Sequence, residues 1–326
     1  MSAPSPTAPL EAALHARGLL PAGWSALEAP PARPWFVSLL LGGTGWLAGL
    51  SGLGFLGAIF HPATAGAFLA IGLLLLGVAF ALYRAPAGAF IEQVALAVSM
   101  AGQVSLTVAL GIWTESAGGT AAAVVLLQGA WLLAAPNRTA RLLAALFGCV
   151  AWALAVRFAW WGHDFTSPAA EVSLSAALAG WFLVWGPVAL GAWRLLAAEV
   201  AWLSAGRQRL LRPLLTGLLL ALCFGTLASQ PLQGLLLWSP QGPPRSSWLA
   251  LWPLLSAGAA LFALAGASAL RSRALMGAAI AAALLHVLHF YLLVGTTLLV
   301  KSAIMAGVGL VLLAVAVLLD RRGRGP

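Results

Sequence analysis

Glu92, Ser99 and Gln103 fall seven and then four residues apart within the apolar stretch FIEQVALAVSMAGQVSL at 90–106. At 3.6 residues per turn they share one helix face, with Leu96 between them. A carboxylate and amides on an otherwise apolar helix are costly in a bilayer and need a reason. They either fasten this helix to its neighbours or line a path for a solute or ion. The expectation is that Glu92, Ser99 and Gln103 face other helices and not lipid, with Glu92 close enough to Arg84 to pair there or with a helix terminus.

A second group of chemically capable residues is His286, His289 and Lys301. Lys301 is the single lysine among seventeen basic residues, and it lies inside an apolar run. A charged lysine at a helix centre costs about 2.5–3.5 kcal/mol on insertion scales, but unlike arginine it can lose its proton when desolvated. With a turn near Gly295, Lys301 and His289 stand at similar depth, and His286 follows one turn deeper on the same face. This arrangement suits a proton-sensitive or anion-attracting cluster. The structural alternative is a lysine that snorkels outward while the histidines bond between helices.

Motifs for other chemistry are absent from the sequence. It contains no HExxH, no GxSxG, no phosphate-cradling GxxxxGK and no paired-glycine dinucleotide fingerprint. HVLH at 286–289 has no carboxylate or thiolate nearby in sequence to complete a metal site. Cys149 and Cys223 lie in separate apolar runs without metal-ligand spacing. No metal, haem, flavin or nucleotide cofactor is expected.

The elements that must carry these residues are membrane spans. The chain has 326 residues, of which 62% are apolar and 8% charged, with a mean hydropathy of +0.97. Soluble domains carry about 25% charged residues. An all-α, polytopic transmembrane bundle of about ten spans follows. Apolar runs occupy 35–60, 63–83, 89–113, 120–135, 139–161, 172–193, 214–238, 248–270, 274–293 and 296–319, and a bilayer core of about 30 Å needs roughly 20 such residues each. Residues 1–34 read as a cytosolic N-terminal tail, 35–320 as the transmembrane domain, and 321–326 as a short basic cytosolic tail. The first run is too long and lies too far into the chain for a cleaved signal core.

The formal net charge of +9 does not point to nucleic acid, because the basic residues stand singly or in twos and threes between apolar runs. They act as topology determinants. Placing both termini in the cytosol puts fourteen of the seventeen basic residues inside, leaving Arg157 and Arg245 outside and Lys301 within a span. Trp160 and Trp161 beside His163, and Trp238 and Trp248 around 239–247, read as interfacial anchors. Gly42, Gly45, Gly49 and Gly52 form a small-residue face on the first span. Gly186 and Pro187 predict a kink in the sixth. Ser229, Gln230 and Gln233 around Pro231 either line a cavity or cap a frayed end.

FIEQVALAVSMAGQVSL, PNRTARLLAALF at 136–147 and FYLLVGTTLLVKSAIMAGVGLVLLAV at 290–315 together resemble the uncharacterised bacterial integral-membrane family called domain of unknown function 4401. The resemblance covers about residues 35–320. It implies a bacterial inner-membrane location and a second membrane protein as partner, but no activity and no catalytic residues. Its motif matches are Glu92, Gln93, Gly102 and Gln103, then Asn137 and Arg138, then Lys301 and Ser302. Three function classes follow. The first is a non-catalytic membrane component or assembly partner, favoured by scarce intramembrane charge and short loops. The second is a transporter or channel, favoured by the polar seam and the Lys301 cluster. The third is a membrane-embedded enzyme, which lacks a nucleophile with its base. A pocket joining Glu92, Gln103 and Gln230 would favour transport, and a packed interior the first class.

Overall fold

The computed structural model describes residues 35–85, 88–161, 174–227 and 251–293, and part of 299–317. The described secondary structure is helical, in the order α1 (Trp35–Phe60), α2 (Ala65–Arg84), α3 (Ala89–Thr114), α4 (Ala117–Ala134), α5 (Arg138–Trp161), α6 (Leu174–Ala197), α7 (Glu199–Ser204), α8 (Gln208–Phe224), α9 (Leu251–Ala269) and α10 (Arg273–Leu293). Nine of these are long and apolar enough to cross a membrane. The described positions between 299 and 317 are also helical, where the tenth span is expected. The protein is a multi-pass, all-α membrane bundle.

Turn chemistry sets where helices start and stop. Thr64 caps α2, its hydroxyl accepting from the Ala67 amide at 3.2 Å, and Ser116 caps α4 through the Gly119 amide at 3.2 Å. Asn137 Oδ1 accepts from the Thr139 amide at 2.7 Å at the start of α5, so this residue closes a helix end. One helix departs clearly from its apolar run. The seventh run was expected at 214–238, but α8 begins at Gln208 and ends at Phe224 in one 3-10 turn, Gly225–Leu227. The short helix α7 fills the stretch before it. Its Trp202 is buried, and the indole donates to the Leu195 carbonyl at 2.9 Å, one of the carbonyls that the end of α6 leaves without an intrahelical partner.

α8 is the hub of the C-terminal half. Leu215, Leu219, Leu222 and Cys223 are fully buried in a core shared with Trp185 of α6, Trp252 and Ala260 of α9, and Ala279 and Ala282 of α10. Alanines on α9 and α10 let these antiparallel helices approach closely. In the N-terminal half, α2 packs on α3, α1 packs on α3, and α4 packs mainly on α5. Gly102 of α3 and Gly72 of α2 meet so closely that a Cβ on Gly102 would lie 2.9 Å from the Gly72 carbonyl oxygen. Gly45 and Gly49 of α1 sit against Gln93 and Ala97 of α3, whereas Gly52 touches nothing there. The expected glycine face is therefore used over only part of its length.

At Pro213, a proline inside a helix leaves a carbonyl that another helix takes up. Pro213 has no amide to bond the Arg209 carbonyl four residues back. Arg141 of α5 donates to that oxygen through Nη1 at 2.8 Å. Pro187 stands inside the continuous helix α6, and the Trp152 indole of α5 donates to the Val184 carbonyl at 3.2 Å, one residue from the Leu183 carbonyl that the proline cannot bond.

Candidate functional site

The α3 seam forms, but over a shorter stretch than its spacing suggests. Ser99 and Gln103 are buried, whereas Glu92 is exposed. Glu92 lies in the first turn of α3, at the margin of the bundle, where a carboxylate suits the partial positive charge of a helix N-terminus. The expectation that Glu92 faces a neighbouring helix is corrected accordingly. Gln93, beside it, is half-buried and packs on Gly45 of α1.

Deeper along α3, the Ser99 hydroxyl donates to the Leu96 carbonyl at 2.8 Å and Gln103 Nε2 to the Ser99 carbonyl at 3.2 Å. Gln128 Nε2 of α4 then donates to Gln103 Oε1 at 2.9 Å. Gly148 of α5 packs against the Gln128 stem, where a Cβ would sit in van der Waals contact at 3.4 Å from the Gln128 Cβ. Leu96, Trp131 and Tyr83 pack in one cluster beside the seam. The Tyr83 hydroxyl of α2 faces the Ser99 side chain but makes no hydrogen bond of ordinary geometry. Trp131 Nε1 and Gln128 Oε1 are likewise buried without a hydrogen-bond partner.

A second polar node lies where α8 ends. His286 of α10 is fully buried, and its Nε2 stands 2.7 Å from the Cys223 carbonyl and 3.4 Å from Thr226 Oγ1. The Trp252 indole donates to the Thr226 carbonyl at 3.3 Å. The cause is local: α8 stops here, so its last carbonyls need outside donors. A carbonyl only accepts, so Nε2 carries the hydrogen, and in the neutral ring Nδ1 is the acceptor. His286 Nδ1 and Ser256 Oγ are buried without a hydrogen-bond partner. Ser256 and His286 are equally far from the tight turn joining α9 to α10.

The remaining sequence-derived candidates are dispersed. His289 is half-buried, Arg138 and Ser302 are exposed, and Asn137 is half-buried at its cap. Lys301 lies outside the described residues, as do His163, Trp238, Trp248, Arg245, Ser229, Gln230, Pro231 and Gln233. Arg157, assigned to the outer side, is buried within α5, ahead of its last turn. Among the described residues no three His, Cys, Asp or Glu side chains gather as metal ligands. An apolar cavity of about 490 Å³ between α6, α8 and α9 is lined by Trp181, Phe182, Leu222, Leu255 and Phe262. It does not coincide with the α3 seam.

Sequence reasoning missed Gln128, Trp131 and Tyr83. The available signal was Gln128 itself, an amide alone in VVLLQGAWLL.

The family model described as "Domain of unknown function (DUF4401)" matches residues 34–322. The chain belongs to this family. No curated protein and no solved structure matches it. Within the family's span, the buried interhelical polar contacts described for this member include the α3–α4 amide pair and the capped end of α8.

Proposed function

We propose that the chain is a non-catalytic component of a membrane assembly, binding a second membrane protein through α1. The observation that carries this reading is the two-sidedness of α1. One face, at Gly45 and Gly49, is fitted to α3. On the opposite face Gly43, Leu47, Leu50 and Gly54 follow at spacings of four, three and four. Leu47 is 65% and Leu50 58% exposed, and a Cβ added at either glycine would meet nothing from another element within 4 Å. Small and large side chains at these intervals are the pattern on which membrane helices pack. The hydrogen bonds of Gln103, Gln128, His286 and Trp252 support the same reading, because each ties one helix to another. We place the protein in a bacterial inner membrane with both termini cytosolic, on the strength of the arginine distribution.

Photo-cross-linkers placed at Leu47 and Leu50 in native membranes test this reading. A discrete adduct with another membrane protein, lost on Gly54→Leu, is expected. Cross-linking to lipid alone from both positions would overturn it. Transport of a small solute is the second reading, favoured by the unpartnered atoms of Tyr83, Gln128 and Trp131 beside the seam. Solute flux in proteoliposomes of the purified chain separates it from the first.

A further inference from the structure

The directions of the hydrogen bonds along the α3 seam determine how the Gln128 amide is turned. The Ser99 carbonyl can only accept, so Gln103 must present its NH2 group to it. That leaves Gln103 Oε1, an acceptor, facing α4, and Gln128 must answer with its own NH2 group. Reversing either amide would set oxygen against oxygen. Gln128 Oε1 is therefore committed to the far side of the pair, where it is buried and has no partner.

Two other buried polar atoms without a hydrogen-bond partner belong to side chains packed beside the seam. Trp131 stands three residues after Gln128, on the same face of α4. With Gln103 level with Gln128 on antiparallel helices, Trp131 falls near the level of Met100, between Ser99 and Gln103. Its Nε1–H is buried and unpartnered, and its ring packs in the cluster containing Leu96 and Tyr83. The Tyr83 hydroxyl approaches Ser99 from α2. An acceptor, a donor and a hydroxyl that can be either thus belong to side chains packed around the Ser99–Gln103 turn of α3. Both Gln128 and Trp131 are more than nine-tenths buried.

We infer that α2, α3 and α4 enclose a binding site for one small neutral molecule that both donates and accepts hydrogen bonds. The molecule donates to Gln128 Oε1 and accepts from Trp131 Nε1–H, with the Tyr83 hydroxyl as a third contact. A cation is disfavoured because the indole N–H points its positive end at the site. An anion is disfavoured by the Gln128 carbonyl oxygen. Water is the smallest molecule of this chemistry, and buried water characteristically makes two to four such bonds. A small hydroxyl or amide solute offers the same groups. The inference is independent of the α1 interface.

A structure of the full chain in lipid nanodiscs, at a resolution that shows ordered water, decides it. A density peak about 2.7–3.2 Å from both Gln128 Oε1 and Trp131 Nε1 is expected. A round peak identifies water, and an elongated one an organic solute from the medium. Trp131→Phe should remove or displace the peak while Gln128 stays bonded to Gln103. If no peak is present, or if it persists unmoved in Trp131→Phe, the inference fails. Thermal unfolding of Tyr83→Phe, Trp131→Phe and the double variant gives a second test. A shared molecule makes the two losses less than additive, whereas additive losses remove Tyr83 from the site.

Discussion

Gln128 Nε2 lies 2.9 Å from Gln103 Oε1, and this bond joins α4 to α3 in the interior of the bundle. Interhelical hydrogen bonds in membranes average only about 0.6 kcal/mol, but an amide left buried without its partner costs about 1–3 kcal/mol. Gln103→Leu and Gln128→Leu should each destabilise the protein by an amount in that second range. The double leucine variant should recover much of the loss, because no orphan amide remains. Unfolding in mixed micelles measures this, and a double variant as poor as the sum of the singles would contradict it.

Arg141 should matter because of Pro213. Its guanidinium donates to the carbonyl that Pro213 leaves free, so Arg141→Leu is expected to cost up to about 1.5 kcal/mol. In a Pro213→Ala background the new amide bonds the Arg209 carbonyl within the helix, and the same substitution should then cost less. Equal losses in both backgrounds would detach the two residues from each other.

Gly102→Ala should destabilise by about 1–3 kcal/mol, since the added methyl meets the Gly72 carbonyl and Leu76. Gly77→Ala, with open space around it, should be neutral or gain up to about 1 kcal/mol from helix propensity. The comparison separates close approach of α2 and α3 from a general dislike of larger side chains.

His286→Ala should be the more damaging of the two histidine substitutions. It opens a cavity in a fully buried site and orphans the Cys223 carbonyl, each effect being worth about 1–3 kcal/mol. His289→Ala, at a half-buried position, should cost less. Thermal stability of the two variants in one detergent reads the difference, and the reverse order would show the α8 end to be capped by other means.

Topology is open to direct labelling, and the structure selects the positions. Ser116 holds the α4 cap, so exposed Ala117 is the better site for a cysteine, with exposed Ala205 as its counterpart between α7 and α8. Native Cys149 and Cys223 are buried and contribute little background. An impermeant thiol reagent should label Ala117→Cys in intact cells and Ala205→Cys only after permeabilisation. The opposite pattern would invert the proposed orientation.

The spans were legible in the sequence because the bilayer imposes a local rule: a helix must be apolar over roughly 20 consecutive residues, and that can be counted without knowing its neighbours. The runs at 35–60, 89–113 and 274–293 fall within two residues of α1, α3 and α10. The same rule placed Ser99 and Gln103 on one face, and both are buried. It failed at α8, where Arg209 and Arg212 made the first turns look like loop although the helix begins at Gln208. What the tertiary structure decided is pairing. That Gln103 meets Gln128, that Arg141 answers the carbonyl freed by Pro213, and that Glu92 lies at the bundle margin all depend on which helices pack together and at what depth. Twenty-five residues separate the two glutamines and sixty-eight separate Arg141 from Arg209, so no local period connects them. Small residues such as Gly72 and Gly102 control that packing. Their contacts across the interface, unlike their positions along the chain, exist only once the helices are assembled.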